Sequence, residues 1–210
     1  MLIIGAKGFA KEVLQTLHDT GELHNLSFYD DVNQDIDTHL YDQFPILKSK
    51  REAQDYFRTT DSRFTIGIGN PKLREKLCLD FIYIGGKFTT TISQSAIVGS
   101  YGNVIEEGCN IMAKTVITND IFIGKGVIIN QLSSIGHDVT IGSFSEICPN
   151  VSISGNCTLG AGVFVGTGAI ILPGVTVGNG VIIGAGAVVA KDLPDNCVAV
   201  GIPAKIIKQN

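Results

Sequence analysis

The chain has no tryptophan, and aromatic residues fill only 7 % of its 210 positions. Charge is scarce as well, at 17 % of residues and a net −4. Without a basic excess there is no surface for nucleic acid or for an anionic membrane. No apolar run reaches the roughly 18 residues of a membrane span, and there is no secretory h-region. A soluble, cytoplasmic protein without membrane insertion is expected. Met1-Leu-Ile-Ile is apolar but stops at Gly5 and reads as a first strand. The cysteines number five, an odd count with no CxxC pair, which argues against a disulfide framework. Buried, reduced thiols are the expectation.

What the chain does have is glycine, 25 residues, and a large excess of aliphatics, the mark of a repeat architecture. Counted in sixes from Ile105, positions 111, 117, 123, 129, 135, 141, 147 and 153 are all Ile. Leu159, Val165, Ile171, Val177, Ile183 and Val189 continue the series without a break. A second track lies two residues earlier and holds small or β-branched residues such as Cys109, Thr115, Ser133, Val151 and Ala169. A period of six fits neither the helical 3.6 nor the strand 2. It fits a hexapeptide β-helix, in which each hexapeptide takes one face of a triangular prism and the aliphatic points inward.

Residues 1–90 read as a small Rossmann-like parallel α/β domain. Strands are expected at Leu2–Ile4, Leu26–Tyr29 and Phe64–Ile68, and helices at Phe9–Leu17, Lys48–Phe57 and Lys72–Phe81. Residues 91–193 form the β-helix. The period breaks at Lys191-Asp192-Leu193-Pro194, so residues 194–210 are a tail that caps the prism. The fold class is thus mainly β, a parallel β-helix with a small α/β domain in front.

His137 is the repeat region's one histidine; His18, His24 and His39 lie in the N-terminal part. That weakens the case for a β-helix metalloenzyme needing three histidines, and no metal is expected. On spacing alone His137 could be a solvated turn residue. One 18-residue coil later stands Gly155, about 5 Å along the prism axis, where a bare backbone N–H can meet an oxyanion. Asp138 stands beside the histidine and can fix its tautomer. Base, carboxylate and amide donor on one edge are the parts of acyl transfer.

Asn130 through Asp138, then Ser154-Gly155-Asn156 and Gly201-Ile-Pro203-Ala204-Lys205 resemble the bacterial sugar acetyltransferases of the bacillosamine and perosamine type. The same family includes sialic-acid O-acetyltransferase-like proteins. The resemblance implies a left-handed β-helix, an acetyl-CoA co-substrate, and a homotrimer with active sites between subunits. It implies His137 as general base, Asp138 as its tuner, Gly155 as oxyanion donor and Asn130 beside the base. Glu146, where many relatives carry histidine, is placed near the acetyl end of CoA, and Thr167 and Ala185 along the CoA arm. Gly5, Lys7 and Gly8 would meet the phosphates of a nucleotide-linked amino sugar, consistent with helix-end anion binding. Phe9, histidine in many relatives, lies beside the amino-sugar site. Asp30, Asp31, Gly69 and Asn70 complete that pocket. Read as bare residues, the glycine turn could be only a tight strand-to-helix connection, and Asp30-Asp31 only solvated.

The implied reaction is N-acetylation of a nucleotide-linked amino sugar for surface-glycan synthesis. O-acetylation of a sugar hydroxyl such as sialic acid stays open as an alternative. A catalytically silent β-helix scaffold is disfavoured, because it has no use for His137, Asp138 and Gly155 together.

Overall fold

The computed structural model describes residues 1–33 and 35–209. The elements of the first part are β1 (Leu2–Ile4), α1 (Phe9–Asp19), β2 (Ser27–Tyr29), β3 (His39–Leu40), β4 (Phe44–Leu47), α2 (Lys50–Thr59), β5 (Arg63–Ile66), α3 (Pro71–Tyr83) and β6 (Lys87–Phe88). They form one sheet in the order β3-β4-β2-β1-β5-β6, parallel throughout except for the β3–β4 pair. Its five parallel strands follow the doubly-wound order, with connections leaving β1 in both directions. Each sheet face carries its own core: Val13, Leu17 and Phe28 beneath α1, and Phe57, Phe64 and Phe81 against α2 and α3.

Local chemistry sets the helix starts. Ser49 and Glu52 make a capping box, so α2 begins at Lys50, two residues later than the apolar pattern suggests. Asn70 caps α3 and Pro71 fills its first position. Strand β4 escapes the sequence reading because Pro45 interrupts a short run.

From Thr91 the chain winds into a left-handed parallel β-helix. Its first face stacks Thr91–Ile92, Asn110–Ile111, Ile128–Ile129, Glu146–Ile147, Phe164–Val165 and Ile182–Ile183. The second face stacks Ile97–Val98 through Val188–Val189, and the third Val104–Ile105 through Thr176–Val177. Both tracks of the repeat are interior: the aliphatics from Ile111 to Val189 and the small residues beside them are buried in one continuous core. Each fully buried Ile or Val contributes about 1.5–3 kcal/mol of transfer free energy. The first coil precedes Ile105, and one extra residue masks its register in the sequence. Ile92 and Val98 pair with Ile111 and Ile117 at an offset one longer than the offset joining Ile105 to Ile123.

A third track emerges only from the backbone. Every sixth residue from Gly102 to Gly186 has a positive φ, including Asp138, Asn150 and Asn156 near +60°. These are the prism corners, and glycine, Asn and Asp adopt that conformation most readily. The tail also differs from a simple cap. Cys197–Val200 adds a parallel strand to the first face, and Lys205–Gln209 folds back on it antiparallel. All five cysteines are free and buried.

The α/β part docks on the first face. Asn110 accepts a hydrogen bond from Thr65 Oγ1 at 3.0 Å and donates to the Ile66 carbonyl at 3.1 Å. Arg74 of α3 is fully buried, and its guanidinium donates to the carbonyls of Gly126 (2.9 Å), Phe144 (2.6 Å), Ser145 (3.0 Å), Ile68 (3.3 Å) and Gly69. One side chain thus ties three successive segments of the two parts together. Among the described residues no helix is long and apolar enough to cross a membrane.

Candidate active site

His137 follows the second-face strand Ser134–Ile135 and sits at the corner leading to the third face. Because Asp138 takes the left-handed corner conformation (φ 56°), its carboxylate turns back toward the ring. Oδ2 lies 2.7 Å from Nδ1. A carboxylate there accepts the Nδ1 proton, which leaves Nε2 as the acceptor, the tautomer a base needs. Both side chains are exposed, at 65 % and 55 %.

Nε2 hangs over Gly155. A Cβ built on Gly155 would stand 2.6 Å from Nε2 and from Cε1, so only glycine leaves this ring position open. Among the described residues the Gly155 N–H meets no acceptor, although its carbonyl accepts from Gly174 at 3.0 Å. The structure therefore joins His137, Asp138 and Gly155 in one cluster with an unspent donor.

Thr167 and Ala185 lie elsewhere, exposed at successive coils of the corner between first and second faces. Asn130 is at that same corner but buried, donating to the Ile147 carbonyl at 3.1 Å. Glu146 projects from the first face, half-buried between Asn130 and Arg74. Burial pushes its carboxyl above the ordinary range, and the Arg74 charge and Asn130 offset part of that.

Beyond the carboxyl ends of β1, β2 and β5 is a cavity of about 220 Å³, lined among others by Gly5, Asp30, Asp31, Asn33 and Ile68. Its place at the fold's switch point is where such sheets take ligands. The two aspartates differ sharply. Asp30 is buried and accepts from the Val32 and Asn33 N–H groups (3.2 and 2.9 Å) and from Asn33 Nδ2. It closes the turn, while Asp31 is exposed. Lys7 reaches across to Asn33 Oδ1 (3.0 Å) and the Asp35 carboxylate (3.2 Å). Gly8 opens α1 without any side-chain cap, and half-buried Phe9 packs into the core beneath α1. Asn70 spends its side-chain oxygen on the Leu73 N–H, and with Pro71, Phe164 and Ile182 it lines a second cavity of about 260 Å³.

These groups fall on opposite sides of the prism. The α/β part covers the first face, and His137 occupies the corner opposite that face, with the aliphatic core between them. In one chain His137 and the switch-point cavity therefore lie on different sides of the prism. Arg74 was invisible in the sequence, where Lys72, Glu75 and Lys76 make its surroundings look like a solvated helix face.

Residues 1–81 match the family model of the PglD N-terminal domain, and residues 156–191 match that of the bacterial transferase hexapeptide (six repeats). Among solved structures, the perosamine N-acetyltransferase of Caulobacter crescentus, in complex with CoA and GDP-perosamine, is 33 % identical. The match covers 99 % of this chain and 96 % of that one, with a TM-score of 0.91. The acetyltransferase domain of PglB from Neisseria gonorrhoeae is 30 % identical over 98 % of both chains, with a TM-score of 0.90. WeeI from Acinetobacter baumannii is 29 % identical over 98 % of both, with a TM-score of 0.89.

Proposed function

Because the chain belongs to the hexapeptide-repeat sugar acetyltransferases that carry a PglD-type N-terminal domain, we propose that it moves an acetyl group from acetyl-CoA to the amino group of a nucleotide-linked sugar. The observation that carries this reading is His137 Nε2 lying over the unspent Gly155 N–H, with Asp138 holding Nδ1.

The chemistry follows from that geometry. A neutral amine attacks the thioester carbonyl, and the new oxyanion lies within reach of the Gly155 N–H. His137 takes the proton that the nitrogen must lose and passes it to the departing thiolate. The Asp138 carboxylate stabilises the imidazolium formed between those transfers. The nucleotide occupies the cavity at Gly5, Asp31 and Asn33, and the open N-terminus of α1 faces its phosphates. Lys7 leaves Asp35 to join them. Thr167 and Ala185 line the CoA arm.

The separation of His137 from the switch-point cavity supports a homotrimer in which one subunit's histidine serves its neighbour's acceptor. Reliance on acetyl-CoA fits a cytoplasmic enzyme, with the acetylated sugar passing to surface-glycan synthesis. The amine is favoured over a hydroxyl as acceptor by the similarity to a perosamine N-acetyltransferase along nearly the full chain.

The test is free-thiol release from acetyl-CoA with GDP-, UDP- and dTDP-linked 4-amino sugars and with sialic acid. Release with one amino sugar is expected. Release with sialic acid alone moves the protein to O-acetylation. A fully active monomer in sedimentation refutes the shared site.

A further inference from the structure

Glu146 packs against the segment 68–70, whose two ends line different cavities. Ile68 lines the first and Asn70 the second, and the carboxylate lies over Gly69 between these two residues. A Cβ on Gly69 would come within 2.9 Å of Oε1 and 3.0 Å of Oε2, so this position is glycine because the carboxylate fills the space. Phe164, the residue stacked on Glu146 in the next coil, lines the second cavity. An acceptor whose nucleotide fills the first cavity carries its sugar across Gly69 toward this carboxylate. The inference below rests on the acetyl-transfer reading above.

That reaction has a proton left over. An aliphatic amine is an ammonium ion at neutral pH and must lose a proton before it can attack. It loses a second proton once the C–N bond has formed. His137 handles the second, moving it to the sulfur as the C–S bond breaks. Nothing in the His137 cluster takes the first.

The geometry points to Glu146 as a further catalytic residue: it binds the acceptor's ammonium group and removes its first proton. The balance is complete. Ammonium and carboxylate become neutral amine and carboxylic acid, the amine attacks, and Glu146 returns its proton to solvent after the product leaves. Its surroundings suit the task. Arg74 lies behind it on α3, its donors taken by backbone carbonyls, and Asn130 and the buried Cys148 thiol flank it on the β-helix. A half-buried carboxyl whose affinity for protons is raised by burial accepts a proton near neutrality more readily than an exposed one. A carboxylate here also favours a cationic acceptor over a hydroxyl.

The experiment measures the pH dependence of kcat/KM for the amino sugar by thiol release, comparing wild type with Glu146→Gln. At pH 7 the variant should turn over about 10²-fold more slowly, and the loss should shrink toward nothing by about pH 9, as the free amine sheds its own proton. A loss of equal size at every pH, or wild-type rates at pH 7, overturns the assignment. If Glu146→Gln does not fold, Glu146→Asp serves instead, since the shorter carboxylate should keep the wild-type pH profile at a reduced rate. An alkaline-shifted profile for Glu146→Asp also overturns it. Wild-type protein that releases no thiol with any of the amino sugars fails the acetyl-transfer reading itself, and this inference falls with it.

Discussion

Replacing Gly155 by alanine adds one methyl group under the imidazole and leaves the backbone N–H in place. The methyl would stand 2.6 Å from Cε1 and Nε2 of His137, against about 3.4 Å for ordinary contact, so the ring must retreat by about 0.8 Å or swing off Asp138. Misplacing a catalytic group by about 1 Å costs on the order of 10² in rate, or about 2.7 kcal/mol of transition-state stabilisation. The fold should not notice. Gly155 does not have a positive φ, and the His137 side chain that yields is exposed, so stability should change by no more than about 0.5 kcal/mol. The assay pairs kcat from thiol release with Tm from thermal melting. A kcat within threefold of wild type would refute the placement of the base over Gly155. A large drop in Tm would show that the glycine serves packing and not the ring.

His137→Ala should lower kcat by about 10²–10⁴-fold with Tm unchanged, measured in the same assay; near-wild-type turnover removes the base. Arg74→Ala should cost about 3–5 kcal/mol, because the carbonyls of Gly126, Phe144 and Ser145 lose a buried donor. Thermal melting reads it, and an unchanged Tm would mean that the two parts are held together by other contacts. Asp61 gives a pH dependence. Burial pushes its carboxyl up, but the Arg63 guanidinium and N–H and the Met1 ammonium outweigh that and hold it well below the usual carboxylate range. A depressed folded-state value stabilises the protein above about pH 4 and ceases to do so as pH falls through it. Asp61→Asn should therefore lower Tm by a few degrees at pH 7 and progressively less below pH 4. An equal loss at both pH values would rule out the ion pair as the cause.

Much of the architecture was legible because a β-helix writes its core in a strict period. Every residue from Ile111 to Val189 on the six-residue track is interior for one local reason, the repetition of strand and corner, and no distant contact is needed to explain it. His137, Asp138 and Gly155 were legible for the same reason: a fixed coil length converts sequence separation into height along an axis. The first coil lies within the expected span of residues 91–193, but its register was not legible, since the extra residue before Asn103 shifts the phase. The fifteenfold corner track with positive φ was only half visible, because Lys114, Leu132 and Phe144 hold the same conformation as the glycines without resembling them.

Other decisions belong to the tertiary structure. Asp30 and Asp31 look alike in the chain, yet one is spent closing a turn and the other is exposed, a difference made by where Asn33 folds. Glu146 continues an outward column in which Thr91, Asn110 and Ile128 are buried and Ile182 is exposed; the docked α/β part, held by Arg74, leaves Glu146 half-buried beside Gly69. The separation of His137 from the switch-point cavity likewise depends on which of three equivalent faces that part covers. The sequence determined the prism and what lies on each corner. Long-range packing decided which face is covered, and with that which residues can share a site.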